Sequence, residues 1–236
     1  MILITLDIDW APDFTIKKVD EILKEKNIKA TWFVTHKSAY LKNLSKNRNY
    51  ELGIHPNFLS NTTQGKTPKE ILKKLKKIVP SAVSLRAHSL HQNSHLLSLY
   101  KDYGIKFDTS LLLYKTKNIK PHYHPLFELH RVPFFWEDDV EVYEKNPDWS
   151  FKSTKHIPGL KIYNFHPIHI ILNTNNMNDF KKIQKKIEVN SLNDETLQKY
   201  VNKKKGVKDI FLEILEFLQS KKTFTVNEVI KNRLSV

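Results

Sequence analysis

Residues 2–10 of the chain read ILITLDIDW, an apolar run followed by two aspartates on either side of Ile8. The run is short and rich in β-branched residues, which predicts a buried β-strand. Side chains alternate along a strand, so Asp7 and Asp9 are expected to point to the same side. Ionised carboxylates avoid apolar surroundings unless they are paired or bound to a metal, and the pair therefore indicates a functional site.

A purely structural alternative exists for this pair. One aspartate at the end of a strand can cap the next helix while its neighbour is solvated. Asp13 lies nearer the helix that is expected from about Phe14, and it fits the capping role better than Asp7 or Asp9.

Downstream of this strand, short apolar segments alternate with amphipathic ones. The pattern predicts strands at 28–34, 50–54, 82–85, 105–107 and 161–165, and helices at 14–26, 67–78, 94–103 and 207–218. Such alternation is typical of parallel βα units. It favours a barrel, complete or incomplete, over an open sheet, because a dinucleotide-binding sheet would need a glycine-rich turn after the first strand.

Length and composition limit the organisation of the chain. The 236 residues, 40% of them hydrophobic, suffice for one α/β domain over residues 1–236 with a sizeable core. We expect an irregular segment at 114–133 and a helical C-terminal region from about residue 178. The chain has no cysteine, which excludes disulfides and thiolate metal sites. No segment resembles a signal peptide or a membrane span, so cytoplasmic residence is expected.

The formal net charge of +14 allows two interpretations. Most lysines fall on predicted helix faces, as at 73–77 and 181–186, and they are rarely interleaved with aromatic residues. We interpret this charge mainly as solvated surface, and no nucleic-acid motif accompanies it. The alternative is an anionic partner such as a nucleotide, a lipid phosphate or an acidic glycan.

Polar residues follow several predicted strands at the point where each strand ends. Beside the aspartate pair, these residues include His36, His55, His88 and His166. Residues just past the ends of parallel strands meet at one mouth of a barrel. One carboxylate with two or three imidazoles is the ligand set of a catalytic zinc-type site, although Co²⁺, Ni²⁺ or Fe²⁺ would also fit. A nearby carboxylate could take a proton from water at such a site, and a further imidazole could protonate a leaving amine, so the set suits amide hydrolysis.

Five segments together resemble the polysaccharide deacetylases of the NodB-homology type, carbohydrate esterase family 4. They are TLDID at 5–9, ATWFV at 30–34, ELGIH at 51–55, SLRAHSL at 84–90 and YNFHP at 163–167. The resemblance spans Ile2 to Asn173. It implies a deformed (β/α) barrel that holds a divalent metal and removes N- or O-acetyl groups from sugars. The segments 84–90 and GIHPNF at 53–58 are most similar to a branch associated with O-antigen gene clusters.

The resemblance also implies residue roles. Asp7 corresponds to the general base, Asp9 and His55 to metal ligands, Arg86 to the arginine that orients the base, and His166 to the general acid. The family's usual second metal histidine lies four residues after the first, where this chain has Leu59.

The third ligand must therefore come from another residue, or be missing. His88 is the first choice as third ligand, because it follows a strand and lies two residues from Arg86. His36, at the end of the second strand, is the alternative.

Further residues are expected to contact the substrate: Trp10, Asn57, Asp108, Trp136, Glu137 and Asp138. The segment PFFWEDD at 133–139 could form a wall that stacks a sugar and binds its hydroxyls, or a core edge followed by a solvated acidic turn. Asp108 could line the pocket or cap residues 109–110.

The leading hypothesis is a metal-dependent deacetylase of an N-acylated sugar in surface-polysaccharide biosynthesis, with zinc as the expected metal. The sugar could be free, nucleotide-linked, lipid-linked or polymeric. A catalytically inactive carbohydrate-binding barrel is the main alternative, because Leu59 replaces a family histidine. An anion- or nucleic-acid-binding protein is the second alternative, because the chain is basic.

Overall fold

Nine strands join into one mixed sheet in the computed structural model, which describes residues 1–188 and 191–233. Their order across the sheet is β6-β7-β5-β4-β3-β2-β1-β9-β8. All neighbours are parallel except β6 and β7, which are antiparallel. The strands are β1 (Ile2–Asp7), β2 (Ala30–Val34), β3 (Tyr50–Ile54), β4 (Ser84–Leu85), β5 (Phe107–Asp108), β6 (His122–His124), β7 (Leu129–Arg131), β8 (Trp136–Glu137) and β9 (Lys161–Phe165).

Helices surround this sheet. They are α1 (Asp13–Glu25), α2 (Leu41–Ser45), α3 (Pro68–Ile78), α4 (Ser94–Tyr100), α5 (Asp138–Glu141), α6 (Pro167–Leu172), α7 (Met177–Gln184), α8 (Asp194–Tyr200), α9 (Val207–Leu218) and α10 (Val226–Arg233). Thr67 caps α3 by accepting a hydrogen bond from the backbone of Glu70, and Pro68 occupies the first turn. No helix in the described part of the chain is long and apolar enough to cross a membrane.

The first strand lies between β2 and β9 and is buried along its whole length. Helix α1 places Ile16, Val19 and Leu23 in the core, as the spacing of these residues requires. Because β1, β3, β4 and β9 run parallel, the residues that follow them lie at the same end of the sheet. This end carries the candidate site.

The predicted fold class is confirmed, since the chain forms a deformed barrel with parallel βα units. Two local predictions were wrong. Residues 114–133 are not wholly irregular: they contain β6 and β7, which at three residues each are too short to show a hydrophobic period. Pro12, not Asp13, is the cap residue of α1, and the Asp13 carboxylate accepts a hydrogen bond from the Ser38 hydroxyl instead.

The first residues of helix α10 contact the opposite end of the sheet. The backbone N–H of Val226 donates to the Thr31 hydroxyl at 3.0 Å, and that of Asn227 donates to the Glu51 carboxylate at 2.9 Å. Burial raises the pKa of Glu51, although the N–H of Asn227 and neighbouring hydroxyls stabilise its charged form. These contacts tie α10 directly to β2 and β3.

Candidate active site

The two aspartates reach the site by different routes. Asp7 is the last residue of β1 and is buried, whereas Asp9 follows the strand in a turn with positive φ at Asp9 (33°) and Trp10 (56°). The turn is held by a hydrogen bond from the backbone of Trp10 to the Thr35 hydroxyl, at 3.0 Å. Because Asp9 lies in this turn and not in β1, the alternation of side chains along a strand does not determine the direction of its side chain. Non-glycine residues with positive φ are costly, and they concentrate at functional sites.

Three side chains meet above the ends of β1, β3 and β4. Oδ1 of Asp9 lies 3.1 Å from Nε2 of His55 and 3.3 Å from Nδ1 of His88. The two ring nitrogens are themselves 3.3 Å apart. We call Asp9, His55 and His88 the ligand triad, since each turns one potential ligand atom toward a common point.

The triad fits a tetrahedral divalent cation. Ligand atoms at 2.0–2.2 Å from a tetrahedral Zn²⁺ lie about 3.3–3.6 Å from one another, close to the separations within the triad. No residue that the structure describes makes a hydrogen bond to the buried Oδ1 of Asp9, despite its short contacts with the imidazoles. A cation among these atoms would provide a partner for this buried oxygen.

The electrostatics of the triad agree with this arrangement. Burial by itself would raise the pKa of Asp9, but the imidazoles of His166, His55 and His88 outweigh it and hold the pKa well below its usual value. Burial opposes the charged form of His55, yet Asp7 and Asp9 raise its pKa above the usual value. Asp7 and Asp9 thus favour positive charge at the position where a cation would bind.

Asp7 is held from below by a buried network. Its Oδ1 accepts a hydrogen bond from Nη1 of Arg86 at 3.1 Å, and its Oδ2 accepts one from Nδ2 of Asn164 at 2.8 Å. The Arg86 guanidinium lies between the rings of Phe33 and Phe134, 4.6 and 4.4 Å from their centroids. Arg86 also donates to the side-chain oxygen of Asn164. The network fixes the orientation of the Asp7 carboxylate.

On the other side of the pocket, His166 is oriented by Asp138. The Nδ1 atom of His166 is 2.6 Å from Oδ1 of Asp138, and the backbone N–H of His166 donates to the other oxygen at 2.7 Å. Nε2 therefore faces the pocket, 3.4 Å from Oδ2 of Asp9. Burial disfavours the imidazolium, but Asp139 and Asp138 outweigh it and raise the pKa of His166 well above its usual value.

The pocket between these groups is small, with a volume of about 70 Å³. Glu137 lines it beside Asp7, and Oε1 of Glu137 accepts a hydrogen bond from Asn164 at 3.0 Å. Burial raises the pKa of Glu137 to about 7, against the opposing charge of His166.

Three residues that were expected to bind substrate are not among the residues that line this pocket. Trp136 is fully buried in the core, where its Nε1 donates to Glu141 at 2.9 Å, so it is part of the core edge and not of a sugar-stacking wall. Asp108 is also fully buried, and its Oδ2 lies 2.6 Å from Nε of Arg131. Asn57 shapes its own loop by accepting a hydrogen bond from the backbone of Leu59 at 2.9 Å.

The remaining candidates stay close to the site. Glu137 lines the pocket, Asp138 supports His166, and the ring of Trp10 packs edge-on against His88 with centroids 5.4 Å apart. His36 lies outside the ligand triad and bonds through Nδ1 to the Thr35 hydroxyl at 2.9 Å. Leu59 is 40% exposed. The structure thus brings His88, and not His36, to Asp9 and His55.

Sequence reasoning missed three residues that shape the site. Asn164 bridges Asp7 and Glu137, and its position inside β9 gave no indication of a polar role. Gln64 is buried in a loop and donates to the backbone carbonyls of Thr35 and His55. His169 pairs with Asp139 at the rim of the pocket. The HPIH segment at 166–169 was the available signal for His169, since it places two histidines three residues apart.

A family model and a solved structure point to the same family. The model of the family described as WbmS-like polysaccharide deacetylase matches residues 4–184. The crystal structure of WbmS from Bordetella bronchiseptica, assigned as a polysaccharide deacetylase involved in O-antigen biosynthesis, is 30% identical with a TM-score of 0.83. The match covers 92% of this chain and 90% of that chain.

More distant structures share the fold alone. A protein from Mycobacterium smegmatis, assigned as a polysaccharide deacetylase, is 14% identical with a TM-score of 0.58, over 98% of this chain and 88% of that one. The 4-α-glucanotransferase from Thermococcus litoralis is 10% identical with a TM-score of 0.51, over 98% of this chain and 38% of that one. A comparison with curated protein sequences gave no significant match.

Proposed function

The chain belongs to the WbmS-like polysaccharide deacetylase family, and on this premise we propose that it is a metal-dependent hydrolase that removes an acetyl group from an N-acylated sugar in surface-polysaccharide biosynthesis. The resemblance found in the sequence motifs is confirmed at the level of the family. The observation that carries the finer proposal is the convergence of the ligand triad, Asp7 and His166 on one small pocket.

The residues of the ligand triad would hold the metal. Two imidazoles and one carboxylate suit Zn²⁺, and Co²⁺, Ni²⁺ or Fe²⁺ accept the same donors. When bound, a divalent cation supplies Lewis-acid chemistry, because it polarises an acyl carbonyl and makes water more acidic.

Asp7 is the proposed general base. It lines the pocket, and Arg86 and Asn164 hold both of its oxygens, so the carboxylate needs no reorientation when it takes a proton from the attacking water.

His166 is the proposed general acid. Its Nδ1 is engaged by Asp138, and its Nε2 faces the pocket, where it can donate a proton to the departing amine nitrogen. Asp138 stabilises the imidazolium that precedes this transfer and fixes the ring orientation, in the way that a carboxylate supports the histidine of a catalytic triad.

The small pocket supports one arrangement of the substrate. In this proposal the acyl group and the scissile bond enter the pocket, and the sugar ring lies against the rim at Asp139, near Trp10, whose ring packs on His88. The inactive-barrel alternative depended on Leu59, and His88 supplies the third donor that Leu59 cannot. We therefore favour an active enzyme with a carbohydrate substrate.

The test is release of acetate from a panel of N-acetylated sugars, in free, nucleotide-linked, lipid-linked and polymeric form, by zinc-loaded protein. Asp7→Asn and His166→Ala should each lower the rate by about 10²–10⁴-fold, the usual contribution of a general acid or base. Glu195→Gln, which alters an exposed residue on α8, serves as the control. Folded Asp7→Asn and His166→Ala variants that hydrolyse a true substrate at the wild-type rate would refute the proposal.

A further inference from the structure

A second pair of acid and histidine lies at the rim of the pocket, beside the pair formed by Asp138 and His166. Oδ1 of Asp139 is 2.8 Å from Nε2 of His169, and Nδ1 of His169 is 3.0 Å from the hydroxyl of Thr174. His169 is buried, and the edge of its ring contacts Phe180 with centroids 4.5 Å apart. His169 therefore holds Asp139 in one position.

The Asp139 side chain is more exposed than the other acids of the pocket. It is 42% exposed, compared with 22% for Asp9, 2% for Asp7 and 0% for Asp138. Asp139 lines the pocket, and no residue in the described part of the chain donates a hydrogen bond to its Oδ2. A fixed, solvent-facing carboxylate oxygen at the rim is an acceptor for a ligand that bears N–H or O–H donors.

The charged side chains around the pocket also favour a ligand with N–H or O–H donors. The carboxylates that line the pocket belong to Asp7, Asp9, Glu137 and Asp139, and Asp138 lies behind His166. No lysine or arginine is among the described lining residues, and Arg86 lies beneath Asp7 with no exposed surface. The lining also includes His166 and the ligand triad, but Asp139 is more exposed than any of them, so the rim itself carries a negative charge in a chain whose formal net charge is +14.

We propose that Asp139, positioned by His169, binds the amino or hydroxyl donors of the sugar next to the acylamino group, and that the acidic rim excludes sugars with a carboxylate or phosphate at that place. This inference rests on the proposed function, because it assumes that the sugar lies against this rim. The substrate class is then a neutral or amino-bearing sugar, and any phosphate of a nucleotide or lipid carrier lies away from the pocket. Specificity of this kind comes from repulsion of the wrong ligand as much as from attraction of the right one.

The test measures binding by NMR titration of zinc-loaded protein, near neutral pH, with D-glucosamine, N-acetyl-D-glucosamine and D-glucuronate as probes. The wild type should bind glucosamine more tightly than glucuronate. Asp139→Asn should weaken glucosamine binding by about tenfold, the usual loss for a hydrogen bond to a charged group, and should reduce the discrimination against glucuronate. Glu195→Gln removes an exposed carboxylate on α8 and should change neither value.

His169 is tested as a positioning residue. His169→Leu removes the donor to Asp139 and should weaken glucosamine binding in part, whereas His169→Gln keeps a donor and should restore it. The inference is overturned if wild-type protein binds no glucosamine, if it binds glucuronate equally well, or if Asp139→Asn binds glucosamine like the wild type. The last result would indicate that the amine binds at the ligand triad instead.

Acetate release is measured separately, so the two proposals fail independently. A protein that deacetylates a sugar but shows no charge preference contradicts only this inference. The protein could also prefer glucosamine to glucuronate, and lose this preference in Asp139→Asn, but deacetylate no sugar of the panel. That result contradicts only the proposed function.

Discussion

Nη1 of Arg86 lies 3.1 Å from Oδ1 of Asp7, and both side chains are almost completely removed from solvent. Each charge compensates the other in a place where neither would be stable alone. The pair joins the end of β1 to the end of β4 beneath the pocket. It therefore links the stability of the barrel to the orientation of the proposed base.

Breaking this pair should destabilise the protein. Arg86→Gln is expected to lower the free energy of unfolding by about 3–5 kcal/mol, because it leaves the Asp7 carboxylate buried without its partner. Asp7→Asn should recover part of this loss in the double variant, and urea unfolding of the four proteins measures the coupling. Strictly additive effects would show that the two side chains do not interact energetically.

The identity of the third ligand can be decided by metal analysis. His88→Ala should weaken zinc binding by more than about 100-fold, because even residues behind metal ligands contribute 10–100-fold to affinity. His36→Ala is the matched control, since His36 lies outside the ligand triad, and it should bind zinc like the wild type. The reverse result would assign the third position to His36.

Metal affinity should depend on pH in a direction set by His55. A ligand imidazole must be neutral to bind metal, and Asp7 and Asp9 raise the pKa of His55 above its usual value against the effect of burial. Affinity should therefore fall as the pH drops through this pKa and level off above it. Competition with a chromophoric chelator gives the profile, and calorimetry in buffers of different ionisation enthalpy should show proton release on zinc binding near neutral pH. An affinity that is constant from mildly acidic to neutral pH would contradict the ligand role of His55.

Replacing Asp138 should lower the pH above which activity is lost. Burial disfavours the imidazolium of His166, and Asp139 and Asp138 together raise its pKa. A general acid is active only while protonated, so activity is lost as the pH rises through this pKa. Asp138→Asn should lower the pKa and shift the alkaline limb of the kcat profile to lower pH. An unchanged limb, with Glu195→Gln as reference, would remove His166 from the role of acid.

A substitution at Gly53 tests whether the packing of Phe33 against Arg86 matters for the site. A Cβ at this position would lie 2.7 Å from the ring of Phe33 and 2.8 Å from the backbone oxygen of Ser84. Gly53→Ala should destabilise the protein by about 1–3 kcal/mol through overpacking. It should also lower activity, because Phe33 packs on the Arg86 guanidinium. Ser98→Ala, on the exposed face of α4, should change neither the unfolding free energy nor the rate.

Much of the fold was predictable from local pattern, because β1 to β3 are short apolar runs and α1 has a clear helical period, whereas the five-residue helix α2 was not predicted. Strand β3 was predicted with its observed bounds, and β1 and β2 to within two residues. The three-residue strands β6 and β7 were not predictable, because their pairing depends on neighbours that are distant in sequence. Trp136 shows a related limit, since its aromatic character suits a sugar surface and a core equally well.

What the sequence determined by itself was the chemistry available at the ends of the parallel strands: Asp7, Asp9, His55, His88 and His166. Their shared location follows from the βα alternation, which places residues after parallel strands at one end of the barrel. Only the tertiary structure decided which of them meet. A turn with positive φ brings Asp9 to His55 and His88. A separate network joins Asp7 to Arg86 and Asn164. Both depend on contacts between segments that are far apart in the chain, and no local pattern encodes such contacts.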